Sequence, residues 1–217
     1  MTRYGLLIRA EMCLGCDICL KACKDEFVGN DHLPYTAAQQ DTSYGFGPNQ
    51  TFGWPNTPTT AAVWVTPGQN WMDMSEQVSG TFPNVSVRYT PKPCMQCDSA
   101  PCLKAATNGG AYTTSTGVVV LDPIKSKNLN LVSSCPYGRI YWNSASNLSQ
   151  KCTLCAHLTD LGQNPKCVDA CPVSAITFGD LDDPKSNLSV QVASLQAKVM
   201  NPELGTKPRV YYSGLLQ

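Results

Sequence analysis

Apolar and polar positions change places over short distances along this chain, and each patterned stretch is brief. Tyr4–Arg9 is apolar through Leu6, Leu7 and Ile8 and predicts a strand. Asp17–Glu26 predicts a helix. Val85–Tyr89 alternates and predicts a second strand. Ala111–Thr114 and Val118–Leu121 flank Thr116 and Gly117 and predict a hairpin. Asn128–Ser134 reads as helical, and Leu154–Leu161 and Lys166–Ala170 predict short helices. Asn187–Val199 carries Leu188, Val192, Leu195 and Val199 near helical spacing and predicts a longer one. Val210–Tyr212 predicts a short final strand. Elements this small suit a core filled by a cofactor better than a large apolar core.

One region breaks the pattern. Pro34–Lys92 is rich in Gly, Pro, Asn and Thr and holds Trp54, Trp64 and Trp71. Ala61–Val65 reads as one strand within it, and the rest reads as loop. An insertion of this length either covers a partner or is a plain surface excursion.

Composition narrows the function classes. Charged residues are 15% of the 217, so Ser, Thr, Asn and Gln must supply much of the polar surface. The formal net charge is zero, without the basic excess of nucleic-acid binders. There is no Lys/Arg run for an anionic membrane surface, and no apolar stretch near the ~20 residues of a spanning helix. The apolar part of Met1–Arg9 is too short for a secretory signal, so a partner would have to carry any exported form. No phosphate loop, nucleophile elbow, or flavin or nicotinamide motif is present, and no independent active site is read here. His32 and His157 read as packing or hydrogen-bonding residues. His157, two positions after Cys155, is also placed to tune a nearby cofactor's potential.

Twelve cysteines are the dominant fact. Their spacing chooses among disulfides, zinc and iron–sulfur clusters. Cys13, Cys16, Cys19 and Cys23 form a C-x2-C-x2-C-x3-C run. In this bacterial ferredoxin run three thiolates hold one [4Fe–4S] cluster and the fourth reaches another. Three thiolates so close lie on one tight loop, whose backbone N–H groups can face the sulfurs. The fourth lies on the following helix and faces a neighbour. Lys24 follows Cys23 where proline is usual. Cys171, before Pro172, is the natural distant ligand for Cys13, Cys16 and Cys19. Cys23 reciprocally completes Cys152, Cys155 and Cys167, with Asp160–Pro165 looping out between the last two. Cys94, Cys97 and Cys102 form a third trio, and Cys135 before Pro136 is the one cysteine left. Three clusters of four thiolates use all twelve.

A fourth cluster would need a cysteine at Ala106 and a trio within Ser126–Val132, and neither is there. Disulfides are disfavoured, because four cysteines within eleven residues are badly placed to meet distant partners. Zinc stays open, since Cys152-x2-Cys155 alone could start a zinc site. The chain would then be a zinc-stabilised interaction protein without a redox role.

The expected fold class is α+β, with two ferredoxin-like modules. Residues 1–33 and 149–186 form the first, with two clusters. Residues 34–92 are inserted. Residues 93–148 form a second, degenerate module with one cluster, and 187–217 add a helix and a strand.

Several landmarks then carry a resemblance. They are Cys94-Met95-Gln96-Cys97-Asp98-Ser99-Ala100-Pro101-Cys102, Gly117–Pro123, Cys135-Pro136-Tyr137-Gly138, Lys151–His157, Phe178–Leu181 and Leu204–Tyr212. From about Tyr4 to Tyr212 the chain resembles the iron–sulfur subunit of the molybdopterin oxidoreductases of the dimethyl sulfoxide reductase family. Most members carry four clusters, and this chain departs at Ala106 and across Ser126–Val132. The resemblance implies an electron-transfer subunit paired with a catalytic subunit that alone holds the molybdopterin cofactor, with molybdenum or tungsten. It also implies an external electron carrier. Within the family the chain is most similar to subunits whose partners act on a phenolic ring by hydroxylation, dehydroxylation or transhydroxylation. A partner acting on sulfur or arsenic compounds is the alternative within the family. The cytoplasm is the expected compartment, or the periplasm if a signal-bearing partner carries the chain out.

Overall fold

The computed structural model describes residues 2–27, 71–144 and 146–215. In chain order these form β1 (Tyr4–Arg9), α1 (Ile18–Phe27), β2 (Asp73–Thr81), β3 (Asn84–Lys92), α2 (Pro101–Ala105), β4 (Ala111–Thr113) and β5 (Val119–Leu121). Then follow β6 (Tyr141–Asn143), β7 (Leu148–Gln150), α3 (Ala156–Thr159), α4 (Lys166–Asp169), β8 (Ile176–Asp180), α5 (Asn187–Ser194), β9 (Lys198–Val199) and β10 (Val210–Ser213). Single 3-10 turns precede Cys13 and Cys135, at Ala10–Met12 and Val132–Ser134.

Leu6, Leu7 and Ile8 are all fully buried, so β1 needs cover on both faces. It takes the centre of a four-stranded sheet of order β8-β1-β10-β9. β8 runs antiparallel to it, with Leu6 opposite Phe178, and β10 runs parallel, with Leu6 opposite Val210. The two ends of the chain therefore meet in one sheet. α5 is capped by the Ser186 hydroxyl, which accepts from the Ser189 N–H at 3.1 Å. It lies over β8 at Gly179, where a Cβ would come within 2.9 Å of the Leu188 Cβ. Three antiparallel pairs, β2-β3, β4-β5 and β6-β7, complete the described strands.

Along α1 the buried positions are Cys19, Cys23 and Phe27, one face at four-residue spacing. Phe27 stacks on Trp71 at 5.4 Å, and Tyr141 meets Trp71 edge-on at 5.5 Å. The mixed helix and strand content fits the α+β expectation.

Several local expectations need correction. Asp73–Thr81 lies in the stretch read as loop, yet it is a nine-residue strand paired with β3, Val78 opposite Val87. Most of its positions are exposed, so no inward-facing alternation marks it in the sequence. Residues 28–70, with His32, Trp54, Trp64 and the expected strand Ala61–Val65, lie outside the described residues. Asn128–Ser134 is not a helix: Asn128 is left-handed at φ 64, its N–H bonds to Asn147 O, and only Val132–Ser134 turns. The long helix from Asn187 stops at Ser194, because left-handed Gln196 turns the chain into β9. α3 starts at Ala156 rather than Leu154, since Leu154 and Cys155 are both left-handed. No described helix is long and apolar enough to cross a membrane.

Candidate metal centre

All twelve cysteines are free thiols. Eight are buried, Cys13, Cys135 and Cys171 are half-buried, and Cys16 is exposed. They lie on loops and on short helices, with Cys19 and Cys23 both within α1.

Their electrostatic neighbourhoods are selective. Cys13 feels Cys16 and Cys171, and Cys19 feels Cys13, Cys16 and Cys171. Cys23 and Cys167 each feel Cys152 and Cys155. Cys97 feels Cys94, Cys102 and Cys135, and Cys102 feels Cys94 and Cys135. The three neighbourhoods also touch in order. Cys19 acts on Cys23 and Cys167, and Cys94 acts on Cys152.

The loops repeat one another. In three of the four C-x2-C segments the residue before the second cysteine is left-handed: Gly15 at φ 66, Gln96 at φ 47 and Leu154 at φ 55; in Cys16–Cys19 the left-handed residue is Asp17, at φ 57. That turn brings backbone N–H groups round to sulfur. Gly15 N–H bonds to Cys13, and Leu154 N–H lies 3.4 Å from the Cys152 Sγ. The two Cys-Pro turns match even more closely. Gly138 N–H and Arg139 N–H reach the Cys135 carbonyl at 3.0 Å and its Sγ at 3.3 Å. Ser174 N–H and Ala175 N–H do the same at Cys171, at 3.1 and 3.2 Å. Gly138 and Ser174, the third residues after each cysteine, are both left-handed. Further donors reach Cys19 from Leu20 N–H, Cys102 from Leu103 N–H, Cys155 from Lys166 N–H and Cys97 from the Thr206 hydroxyl.

This donor set fits a metal–sulfur cofactor. Burial first, then neighbouring thiols, pushes Cys19 up to about 12. Burial likewise pushes Cys97 and Cys155 up to about 12, and Cys23 and Cys167 well above the ordinary thiol value. Such thiols keep their protons at neutral pH unless a cation replaces them, which is what metal binding does. The N–H groups aimed at sulfur suit thiolates that keep negative charge after binding. Among the described residues no three His, Cys, Asp or Glu side chains converge tightly enough for one metal ion. A single zinc needs all its donors within about 2.0–2.3 Å of one point. A four-iron cubane spreads its thiolates over four irons, so they share a neighbourhood without converging.

The place where a fourth site would stand is packed by the chain itself. Ala106, Ser126 and Leu131 are buried. Gly110 lies so close to Ser126 that a Cβ would come within 3.1 Å of it. Leu131 N–H donates to the Ser149 hydroxyl at 2.8 Å, and that hydroxyl donates to Leu129 O at 2.8 Å.

His157 hydrogen-bonds through Nε2 to Glu26 Oε1 at 2.6 Å and meets the Phe27 ring edge-on. It thus ties α3 to the end of α1. Three buried polar residues lie in the landmark stretches, but no role for them is read from the sequence. Gln96 donates to Cys152 O at 3.0 Å and accepts from Val119 N–H at 2.9 Å. Lys151 donates to Val119 O and to Cys152 O. Arg209 donates to Gln96 O at 2.8 Å, to Tyr4 O at 3.0 Å and to Gly117 O, and pairs with Asp98 at 3.1 Å.

Comparison with known proteins agrees with these loops. A family model for a 4Fe-4S dicluster domain matches residues 85–181. The chain is 34% identical to the pyrogallol hydroxytransferase small subunit of Pelobacter acidigallici, over 99% of this chain and 70% of that one. It is 31% identical to a sulfite dehydrogenase subunit of Allochromatium vinosum, over 98% and 83%. It is 27% identical to the iron–sulfur subunit of the arsenate respiratory reductase of a Shewanella species, over 97% and 95%. The chain belongs to the iron–sulfur electron-transfer subunits of the dimethyl sulfoxide reductase family of molybdopterin oxidoreductases.

Proposed function

We propose that this subunit carries three [4Fe–4S] clusters in a row and exchanges electrons with a molybdopterin catalytic subunit that acts on a phenolic ring. Cys13, Cys16, Cys19 and Cys171 hold the first cluster. Cys23, Cys152, Cys155 and Cys167 hold the second, and Cys94, Cys97, Cys102 and Cys135 the third. The observation that supports this reading is that each distant cysteine acts on the trio it is proposed to complete: Cys171 on Cys13 and Cys19, Cys135 on Cys97 and Cys102, while Cys23 is acted on by Cys152 and Cys155. Bound there, the clusters supply one-electron transfer. The chain supplies the thiolates, their burial and the N–H donors that tune them. Cys16 exposes the first cluster's end of the row. The two ferredoxin-like modules, 1–33 with 149–186 and 93–148, belong to this proposal, as does the cytoplasmic compartment.

The phenolic substrate rests on the relative at 34% identity, named for pyrogallol. The sulfite and arsenate relatives match nearly as much of the chain and favour a second reading, a partner acting on sulfur or arsenic compounds. Substrate assays on the purified complex separate the two.

Metal analysis of the complex, purified natively without oxygen, tests the core of the proposal. The expected result is about twelve iron atoms per copy of this chain, from four irons per four-thiolate cluster, with molybdenum or tungsten. Iron without either metal would keep the electron carrier and remove the partner. Zinc in place of iron would mean that the electron-transfer reading is wrong.

Gly15→Ala probes one loop. Gly15 is left-handed, and a Cβ there would lie 2.6 Å from the Tyr89 ring. The substitution is expected to open the first loop and lower iron by about four atoms per chain. Full iron content with unchanged spectra would show that the loop tolerates the side chain.

A further inference from the structure

Lysine is almost never fully buried unless it is paired. Lys151 is 2% exposed, and its two hydrogen-bond partners are neutral: Val119 O, and Cys152 O at 3.0 Å. Among the described residues no carboxylate forms an ion pair with it. The other deeply buried cation behaves differently, since Arg209 pairs with Asp98 at 3.1 Å. Carbonyl oxygens satisfy the ammonium's protons, but they do not cancel its charge.

The position of Lys151 shows where the balancing charge stands. It directly precedes Cys152. The Lys151 Nζ and the Gln96 amide both donate to Cys152 O, and Gln96 lies between Cys94 and Cys97. Cys152 and the Cys94–Cys97 loop belong to different neighbourhoods, the second and the third. The two also meet directly, because Cys94 N–H donates to the Cys152 sulfur. Gln96 braces the same spot. It is fully buried inside the Cys94–Cys97 loop and bridges Cys152 O and Val119 N–H, while the Lys151 ammonium bridges Cys152 O and Val119 O. The ammonium is therefore held in place at the junction of two thiol groups.

We propose that Lys151 is a shared counter-ion for the second and third clusters and holds their reduction potentials up relative to the first. This rests on the three-cluster reading. A cluster gains one negative charge on reduction, so a fixed positive charge beside it favours the reduced form. The carbonyls that hold the Lys151 ammonium, Val119 O and Cys152 O, lie outside the first cluster's loops. An electron on the row therefore rests preferentially on the second and third clusters. Lys151 acts here as a positioning residue for charge and makes no contact with a substrate.

The test uses the anaerobically purified complex with Lys151→Met and Lys151→Arg, read by iron content and by a redox titration followed by electron paramagnetic resonance. In Lys151→Met two of three cluster signals are expected to shift to lower potential, with the remaining one unmoved. Lys151→Arg should hold all three near their original values. Selective loss of iron from the same two sites in Lys151→Met, with full iron in Lys151→Arg, also supports the proposal, because charge is what separates the variants. Full iron with all three signals unmoved in Lys151→Met overturns it. So does parallel loss of all clusters in both variants, which marks a purely structural lysine. Fewer than three signals in the unmutated complex sinks the three-cluster reading and this inference with it. Three signals there, with none responding to Lys151→Met, sinks this inference alone.

Discussion

Cys135→Ser is expected to remove one cluster and leave two. Iron should fall from about twelve to about eight atoms per chain, with one set of paramagnetic signals lost. Cys135 is the sensitive point because it is isolated. Its three proposed partners lie together at Cys94, Cys97 and Cys102, while it arrives from a separate turn after Val132–Ser134. That turn is braced independently of any cofactor. Gly138 N–H bonds to the Cys135 carbonyl, and the Tyr137 and Thr206 hydroxyls are 2.6 Å apart. A serine there should keep the turn and replace a soft sulfur donor with a harder, shorter oxygen. The other two sets use loops from residues 13–23 and 152–171, so they should stay loaded. Retention of about twelve irons would remove Cys135 from the ligand set. Loss of all iron would mean that the three sites assemble as one unit.

Arg209→Ala is expected to be the most destabilising single change outside the cysteines. The side chain is 1% exposed and reaches three separate segments. It donates to Tyr4 O on β1, to Gly117 O before β5 and to Gln96 O in the third cysteine loop, and pairs with Asp98. Asp98 also holds Arg3 at 3.0 Å, which ties the start of β1 to the same point. Truncation leaves three carbonyls without these bonds and a half-buried carboxylate short of one cation. Leaving buried carbonyls unpaired costs about 1–3 kcal/mol each, so a loss of about 3–5 kcal/mol is expected, which for a chain of this size lowers the melting temperature by roughly 6–20 °C. Thermal unfolding of the anaerobic complex, compared with the unmutated one, measures it. A fall within about 2 °C, the effect of less than about 1 kcal/mol, would show that neighbouring groups or water replace the guanidinium.

Parts of this protein are local, and those were legible. The buried run Leu6-Leu7-Ile8 specifies a strand by its own apolarity, and β1 appears over Tyr4–Arg9. The 19–23 spacing puts two cysteines on one helix face, and α1 buries both. The β4-β5 hairpin follows from Gly117, left-handed at φ 78 between two apolar runs. The cysteine intervals pointed to ferredoxin-type loops, and the landmarks around them placed the chain in its family. β2 escaped because its polar sequence is held by backbone pairing to β3, which leaves no alternation to read. The end of α5 escaped because periodicity continued through Leu195 and Val199, while one left-handed residue, Gln196, redirected the chain.

The sequence by itself determined the short-range chemistry: which loops crowd thiols together, which turns bring N–H groups to them, and which runs are strands. These depend on neighbours within a few positions, so spacing encodes them. Only the tertiary structure decided that β10 lies parallel beside β1, more than 200 positions away in the chain. It alone set Arg209 against Gln96 and buried Lys151 between two thiol groups, where no carboxylate among the described residues pairs with it. A charge is read in sequence as a surface residue, because water is its usual partner. What it does here depends on which carbonyls and sulfurs replaced that water, and only folding brings them together.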